Sequence, residues 1–230
     1  MDNFLAKKTV ILMICGLVGC VCMGASDWLM IFGDATYEGE LAWLTVGVSQ
    51  MEPWRTSVAL FFAFPAVVFY AIGLFGIKNF ISDEVAKRRY SALTVVGMTP
   101  WLCLHLFYVM ILFLFGWMTA QGHADLAFSA CEALFAQFSW IVIVGEIFMG
   151  APFIYLLVIT AQEKTVFPRW MLLNNPIIIM VVLKFVAVSM GTTAFGLAFT
   201  NGLMSESMFV WFAVYAGYAW THKNIFVTNW

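Results

Sequence analysis

The sequence predicts an all-α, polytopic integral membrane protein: a single transmembrane domain over residues 1–230, with six helices and both termini cytoplasmic. Three observations carry this. First, only 10% of the 230 residues are charged and 63% are hydrophobic, whereas a soluble domain is about 25% charged. The mean hydropathy is +0.92, and so few charges cannot cover a water-facing surface. Second, the apolar runs are long enough to cross roughly 30 Å of hydrocarbon at about 1.5 Å per helical residue. Third, basic residues occupy alternate connections. Lys7 and Lys8 precede the first run, and Lys78, Lys87, Arg88 and Arg89 lie between the second and third. Lys164 and Arg169 lie between the fourth and fifth, and Lys223 follows the sixth. The other connections hold Asp34, Glu38, Glu40, Glu52, Asp125 and Glu206, with Arg55 their one cation, at the head of the second helix. Excess Lys and Arg keeps a loop cytoplasmic, which places both chain ends inside.

The first helix is expected over 9–32. Lys7 and Lys8 before an apolar stretch resemble a signal peptide, and Leu17-Val18-Gly19-Cys20 resembles a lipobox. The apolar run continues to Phe32, however, which makes a full span and favours an uncleaved helix over processing at Cys20. Between residues 33 and 53, LAWLTVGV is expected along the interface, with Trp43 at headgroup level. The second helix is expected over 54–80, followed by the charged loop SDEVAKRRY. The third spans 91–120, and QGHAD turns the chain into a long fourth helix over 126–160. AQEKTVFPR leads to the fifth, 170–200. NGLMSES turns into a short sixth, 208–221, which IFV near the end extends.

Small residues allow helix backbones to approach in lipid. Gly16, Cys20, Gly24 and Asp27 share one face of the first helix, and Arg55, Ala59, Ala63, Ala66, Tyr70 and Gly73 one face of the second. Both stripes end in a charge, so Asp27 and Arg55 are expected to pair near the outer surface; ordinary packing with snorkelling is the plainer reading. Trp101, His105 and Tyr108 lie on one face of the third helix, Glu132, Ser139 and Glu146 on one face of the fourth, and Trp211, Tyr215, Tyr218 and His222 on one face of the sixth. His105, Glu146 and Lys184 fall near the middle of three consecutive helices. A lone charge at that depth costs roughly 2.5–3.5 kcal/mol on insertion scales. Glu146 and Lys184 are therefore expected to form a buried pair beside His105, with Tyr108, Ser139, Trp211 and Tyr215 lining the surrounding cavity. The bland alternative is a structural pair that fixes helix register.

Other residues read more plainly. Five cysteines, all inside apolar runs and without a CxxC pair, act as small hydrophobes. His105, His123 and His222 lack metal-ligand spacing, so neither metal nor cofactor is expected. No basic-aromatic motif suggests nucleic acid. Ser139, Ser189, Thr192 and Thr193 are the kind of hydroxyls that bond their own helix carbonyls. Asn174-Asn175-Pro176 either unwinds the start of the fifth helix or simply caps it. Lys184 is in the fifth of six helices, not the last of seven, which sets aside a retinal-type Schiff base.

Asp27-Trp28-Leu29-Met30, followed by Trp54-Arg55 opening a helix that runs through Pro65 and Gly73, resembles small multi-pass bacterial membrane proteins of unknown function. The likeness covers the first half of the chain and implies a cytoplasmic-membrane protein with no assigned activity. Ceramidase-type intramembrane hydrolases also use membrane His, Asp and Ser, but their paired-histidine arrangement is missing here, so no site residues carry over. Three functions are expected to compete: transport or binding of a small solute or proton-coupled substrate at a midplane polar site; an intramembrane enzyme on a lipid or isoprenoid, with His105 and Glu146 as acid and base; and a non-catalytic accessory subunit. The partners expected are the lipid bilayer and a small-molecule or lipid ligand.

Overall fold

The computed structural model describes residues 2–33, 47 and 53–223. The expected interfacial segment around Trp43, the acids Asp34, Glu38, Glu40 and Glu52, and the IFV extension lie outside these residues. The described chain is all α-helical: α1 (Asp2–Ile31), α2 (Pro53–Gly76), α3 (Glu84–Ala120), α4 (Ala124–Ala161), α5 (Pro176–Met190) and α6 (Ala194–Thr221). Short 3-10 turns at Ile77–Phe80 and Arg169–Asn174 precede α3 and α5. This is a multi-pass membrane protein.

Among the described residues four helical stretches, not six, are long and apolar enough to cross: Phe4–Ile31, Trp54–Phe80, Glu84–Ala120 and Ala124–Ala161. The expected fifth helix, 170–200, is broken twice. Asn175 and Pro176 begin α5, and Gly191 ends it with φ +64°, a left-handed value that glycine tolerates. The resulting 15 residues reach only about 22 Å. Thr193 then caps a new helix by accepting from the Gly196 amide at 3.1 Å. α6 therefore starts fourteen residues earlier than expected, at Ala194 rather than 208. It is long enough to cross, but its middle carries Thr200, Asn201, Ser205, Glu206 and Ser207.

The expected loop SDEVAKRRY is largely helix. Asp83 caps α3 by accepting from the Ala86 amide at 2.7 Å, and Lys87 pairs with Glu84 at 2.5 Å. Buried Ala86 and Tyr90 anchor this first part of α3, and the Tyr90 hydroxyl donates to the Leu74 carbonyl at 3.3 Å.

α1 packs on α2 and α6, α5 packs on α6, and α3 and α4 pack chiefly on each other. The α1–α2 contact is close. A Cβ on Gly19 would lie 2.7 Å from the backbone nitrogen of Tyr70, which is the use of small residues between helices in lipid. Ala59, Ala63, Ala66, Tyr70 and Gly73 are all buried, as the stripe on α2 requires. In α4, Pro152 has no amide hydrogen, so the Phe148 carbonyl lacks its intrahelical donor. Gly97 of α3 sits against that oxygen; a Cβ there would come within 2.7 Å of it.

One end of the bundle is tied together. Asn79 Nδ2 donates to Thr9 Oγ1 at 2.9 Å, and the Ser82 amide to the Lys164 carbonyl at 3.0 Å. The Tyr218 hydroxyl donates to the Val166 carbonyl at 3.0 Å. Phe80, Phe167 and Tyr215 stack beneath, with Phe167 centroids 4.7 Å from Phe80 and 4.4 Å from Tyr215. The start of α1, both connections and the end of α6 thus meet where Lys7, Lys8, Lys87, Lys164 and Lys223 lie.

Candidate functional site

Asp27 and Trp28 are neighbours on α1, Ser205 and Glu206 are neighbours on α6, and the four meet in two pairs. Trp28 Nε1 donates to Glu206 Oε1 at 3.0 Å, and Ser205 Oγ donates to Asp27 Oδ2 at 3.4 Å. Successive side chains diverge by about 100° around a helix, so the pairs serve different sides of the α1–α6 contact. The Trp28–Glu206 side borders an apolar groove, and the Asp27 side borders a polar cavity; Ser205 borders both. Gly202, one turn before Glu206, leaves room for the carboxyl to fold back, since a Cβ there would lie 2.5 Å from Oε1.

The polar cavity has a volume of about 300 Å³. Its walls come from four helices: Asp27 on α1, Trp101, His105 and Tyr108 on α3, Glu146 on α4, and Thr200, Asn201 and Ser205 on α6. The rings of Trp101 and His105 stack at 5.7 Å with an interplanar angle of 25°. His105 Nε2 is buried and has no hydrogen-bond partner among the described residues. Thr200 and Asn201 donate to the carbonyls of Gly196 and Leu197 on their own helix, at 2.8 and 2.9 Å. A second cavity, about 350 Å³, shares Trp101, Glu146, Thr200 and Asn201 and extends to Phe153, Pro176 and Met180. Asn175 supports that wall: its Oδ1 accepts from the Ile177 amide at 3.0 Å and its Nδ2 donates to the Phe153 carbonyl at 3.0 Å. The Asn-Pro triplet therefore caps α5. Among the described residues, the first cavity is lined by two carboxylates and by no Lys or Arg. Among the described residues no group of three or more His, Cys, Asp or Glu is placed to hold a metal ion.

The structure brings His105, Tyr108 and Glu146 to one cavity, as their spacing implies, and adds Asp27. It does not bring Lys184 there. The face of α5 that meets the bundle runs through Pro176, Leu183 and Ala187, and Lys184 lies off it, exposed, with no ion pair to Glu146. Asp27 and Arg55 are also unpaired with each other. Asp27 turns toward Ser205, while Arg55 Nη2 donates to the Phe32 carbonyl at 2.8 Å, just past the end of α1. Ser139 is half-buried on α4 and lines neither cavity. Trp211 and Tyr215 line neither as well; they are 0% and 2% exposed and pack with Phe153, Phe80 and Phe167.

Asn201, Ser205 and Glu206 lie in NGLMSES, which reads as a turn, whereas Trp28 and Thr200 read as ordinary residues of the first and fifth expected helices. The signal was present in the helical period: Ala198, Gly202, Ser205, Met208, Phe212 and Tyr215 continue one buried face across it.

The family model of a family of unknown function, DUF6796, matches residues 1–222. The chain belongs to this family. No curated protein and no solved structure matches. Membership in DUF6796 therefore assigns no activity, and the chemistry rests on the side chains named above.

Proposed function

We propose that the chain is a six-crossing protein of a bacterial cytoplasmic membrane, both ends inside, that binds and transports a small cation, exchanging it against protons on Asp27 and Glu146. The observation that carries this reading is the convergence of two carboxylates and the Trp101–His105–Tyr108 wall on one cavity without Lys or Arg. Asp27 is half-buried within the bundle and Glu146 reaches the cavity from an exposed position on α4; a carboxylate inside a membrane bundle calls for a proton or a cation, and aromatic faces favour cations. In this reading α5 with its preceding 3-10 turn makes the fifth crossing and α6 the sixth. The gathering of Lys7, Lys8, Lys87, Lys164 and Lys223 at one end supports a cytoplasmic location for that end. Lys184 has no part in the path.

The test is uptake into proteoliposomes. Tetramethylammonium, which has no neutral form, should accumulate inside, driven by an outward proton gradient, with a matching alkalinisation reported by an internal dye, and Asp27→Asn or Glu146→Gln should abolish both signals. No tetramethylammonium-dependent proton movement would reject the reading.

A second reading, an enzyme acting on a membrane lipid or isoprenoid, draws on the unpartnered His105 Nε2 in the same cavity as Glu146. Those two side chains would serve as acid and base. Lipid turnover in detergent that His105→Ala eliminates would favour it.

A further inference from the structure

The α1–α6 contact has an apolar side as well as a polar one. There, a groove of about 590 Å³ runs between α1, α5 and α6, walled by side chains such as Val21, Ala25, Leu183, Phe199 and Val210. Val21 and Val210 at its rim are 58% and 40% exposed, so the groove opens toward the surface that acyl chains cover. Glu206 is part of its wall, with Oε1 held by Trp28, while Oε2 is buried and accepts nothing among the described residues. Tyr70, 1% exposed, brings its hydroxyl beside Cys20 and Ser205, two further residues of the wall. Ser205 borders both this groove and the polar cavity that Asp27 lines, and it bonds Asp27.

We infer that the ligand is an alkyl-chain ammonium amphiphile, which lays its chain in the groove between α1, α5 and α6 and places its cationic head between Glu206 and Asp27. The inference rests on the cation reading above and names its substrate class. An apolar groove with a buried, under-satisfied carboxylate oxygen in its wall matches a molecule with one cationic end and one hydrocarbon end. A free inorganic cation would leave the groove without a role. A neutral acyl chain would leave both carboxylates uncompensated. Entry from the bilayer side keeps the alkyl chain in hydrocarbon throughout.

The test measures binding of tetramethylammonium and decyltrimethylammonium to the full chain in lipid nanodiscs. Wild-type protein should bind both, with decyltrimethylammonium the tighter. Ala25→Leu and Val210→Phe fill the groove from opposite walls. Each should weaken decyltrimethylammonium about tenfold or more, the cost of overpacking a closely fitted site, while tetramethylammonium is unchanged. Retained tetramethylammonium binding also reports that each variant is folded. If the two variants affect both cations equally, or neither, the groove is not the chain's site and the inference is overturned while the cation reading stands. If wild-type protein binds neither cation, both fall together.

Discussion

Trp28 Nε1 donates a 3.0 Å hydrogen bond to Glu206 Oε1 across 178 residues of sequence. It joins the first described helix to the last and fixes one face of Glu206. Trp28→Phe removes the donor but keeps an aromatic ring against Phe195, whose centroid lies 4.9 Å away at 83°. The expected loss is about 1–3 kcal/mol, because a charged or buried acceptor is left without its donor. Glu206→Gln retains an oxygen at the same place and should cost less. Reversible unfolding in detergent, followed by far-UV circular dichroism, ranks the two.

Two glycines in helices give opposite expectations. A side chain on Gly19 meets the Tyr70 backbone at 2.7 Å, and backbone does not swing aside. Gly19→Ala should destabilise by about 1–3 kcal/mol. Gly150 in α4 has nothing within 4 Å of an added Cβ. Gly150→Ala should be neutral or stabilising, by about 0.5–1 kcal/mol from helix propensity. Equal effects of the two substitutions would contradict the α1–α2 packing.

Lys184→Met tests the placement of that ammonium off the bundle face. It should leave tetramethylammonium binding unchanged and leave unfolding stability unchanged or raised, because no anionic partner is stranded. A loss of several kcal/mol would mean that Lys184 has a buried partner after all. Asp27→Asn, by contrast, should lower tetramethylammonium affinity at least tenfold with the helical content intact.

Asn175→Ala removes two bonds at once, the cap on Ile177 and the link to the Phe153 carbonyl. About 1–3 kcal/mol should be lost. Asn175→Asp keeps the cap but not the link, so its intermediate stability in thermal melts separates the two contributions.

Much of this arrangement was legible because hydrocarbon restricts the choices. The α2 stripe from Ala59 to Gly73 followed from helical spacing alone, and so did the shared direction of His105 and Tyr108. The family match gives no role. Two things were not legible. Gly191 interrupts an apolar run that hydropathy treats as continuous, since hydropathy is blind to a positive φ. Glu206 sits in a polar stretch that imitates a loop, and its partner Trp28 is remote in sequence, so the contact between them could not be read from either segment. Lys184 failed for a third reason: cost at depth says that a charge needs relief, but not that a neighbouring helix supplies it.

The pairing of α3 with α4 has a mechanical corollary. Asp27 and Ser205 belong to the group formed by α1, α2, α5 and α6, whereas His105 and Glu146 ride on the other pair, which binds mainly to itself. The chamber is thus a seam between two bodies, and a few degrees of tilt of one against the other would widen or shut it without breaking either. With α3 and α4 each about 55 Å long, that tilt is tied to bilayer thickness, so the same chain should open its seam differently in thin and thick membranes.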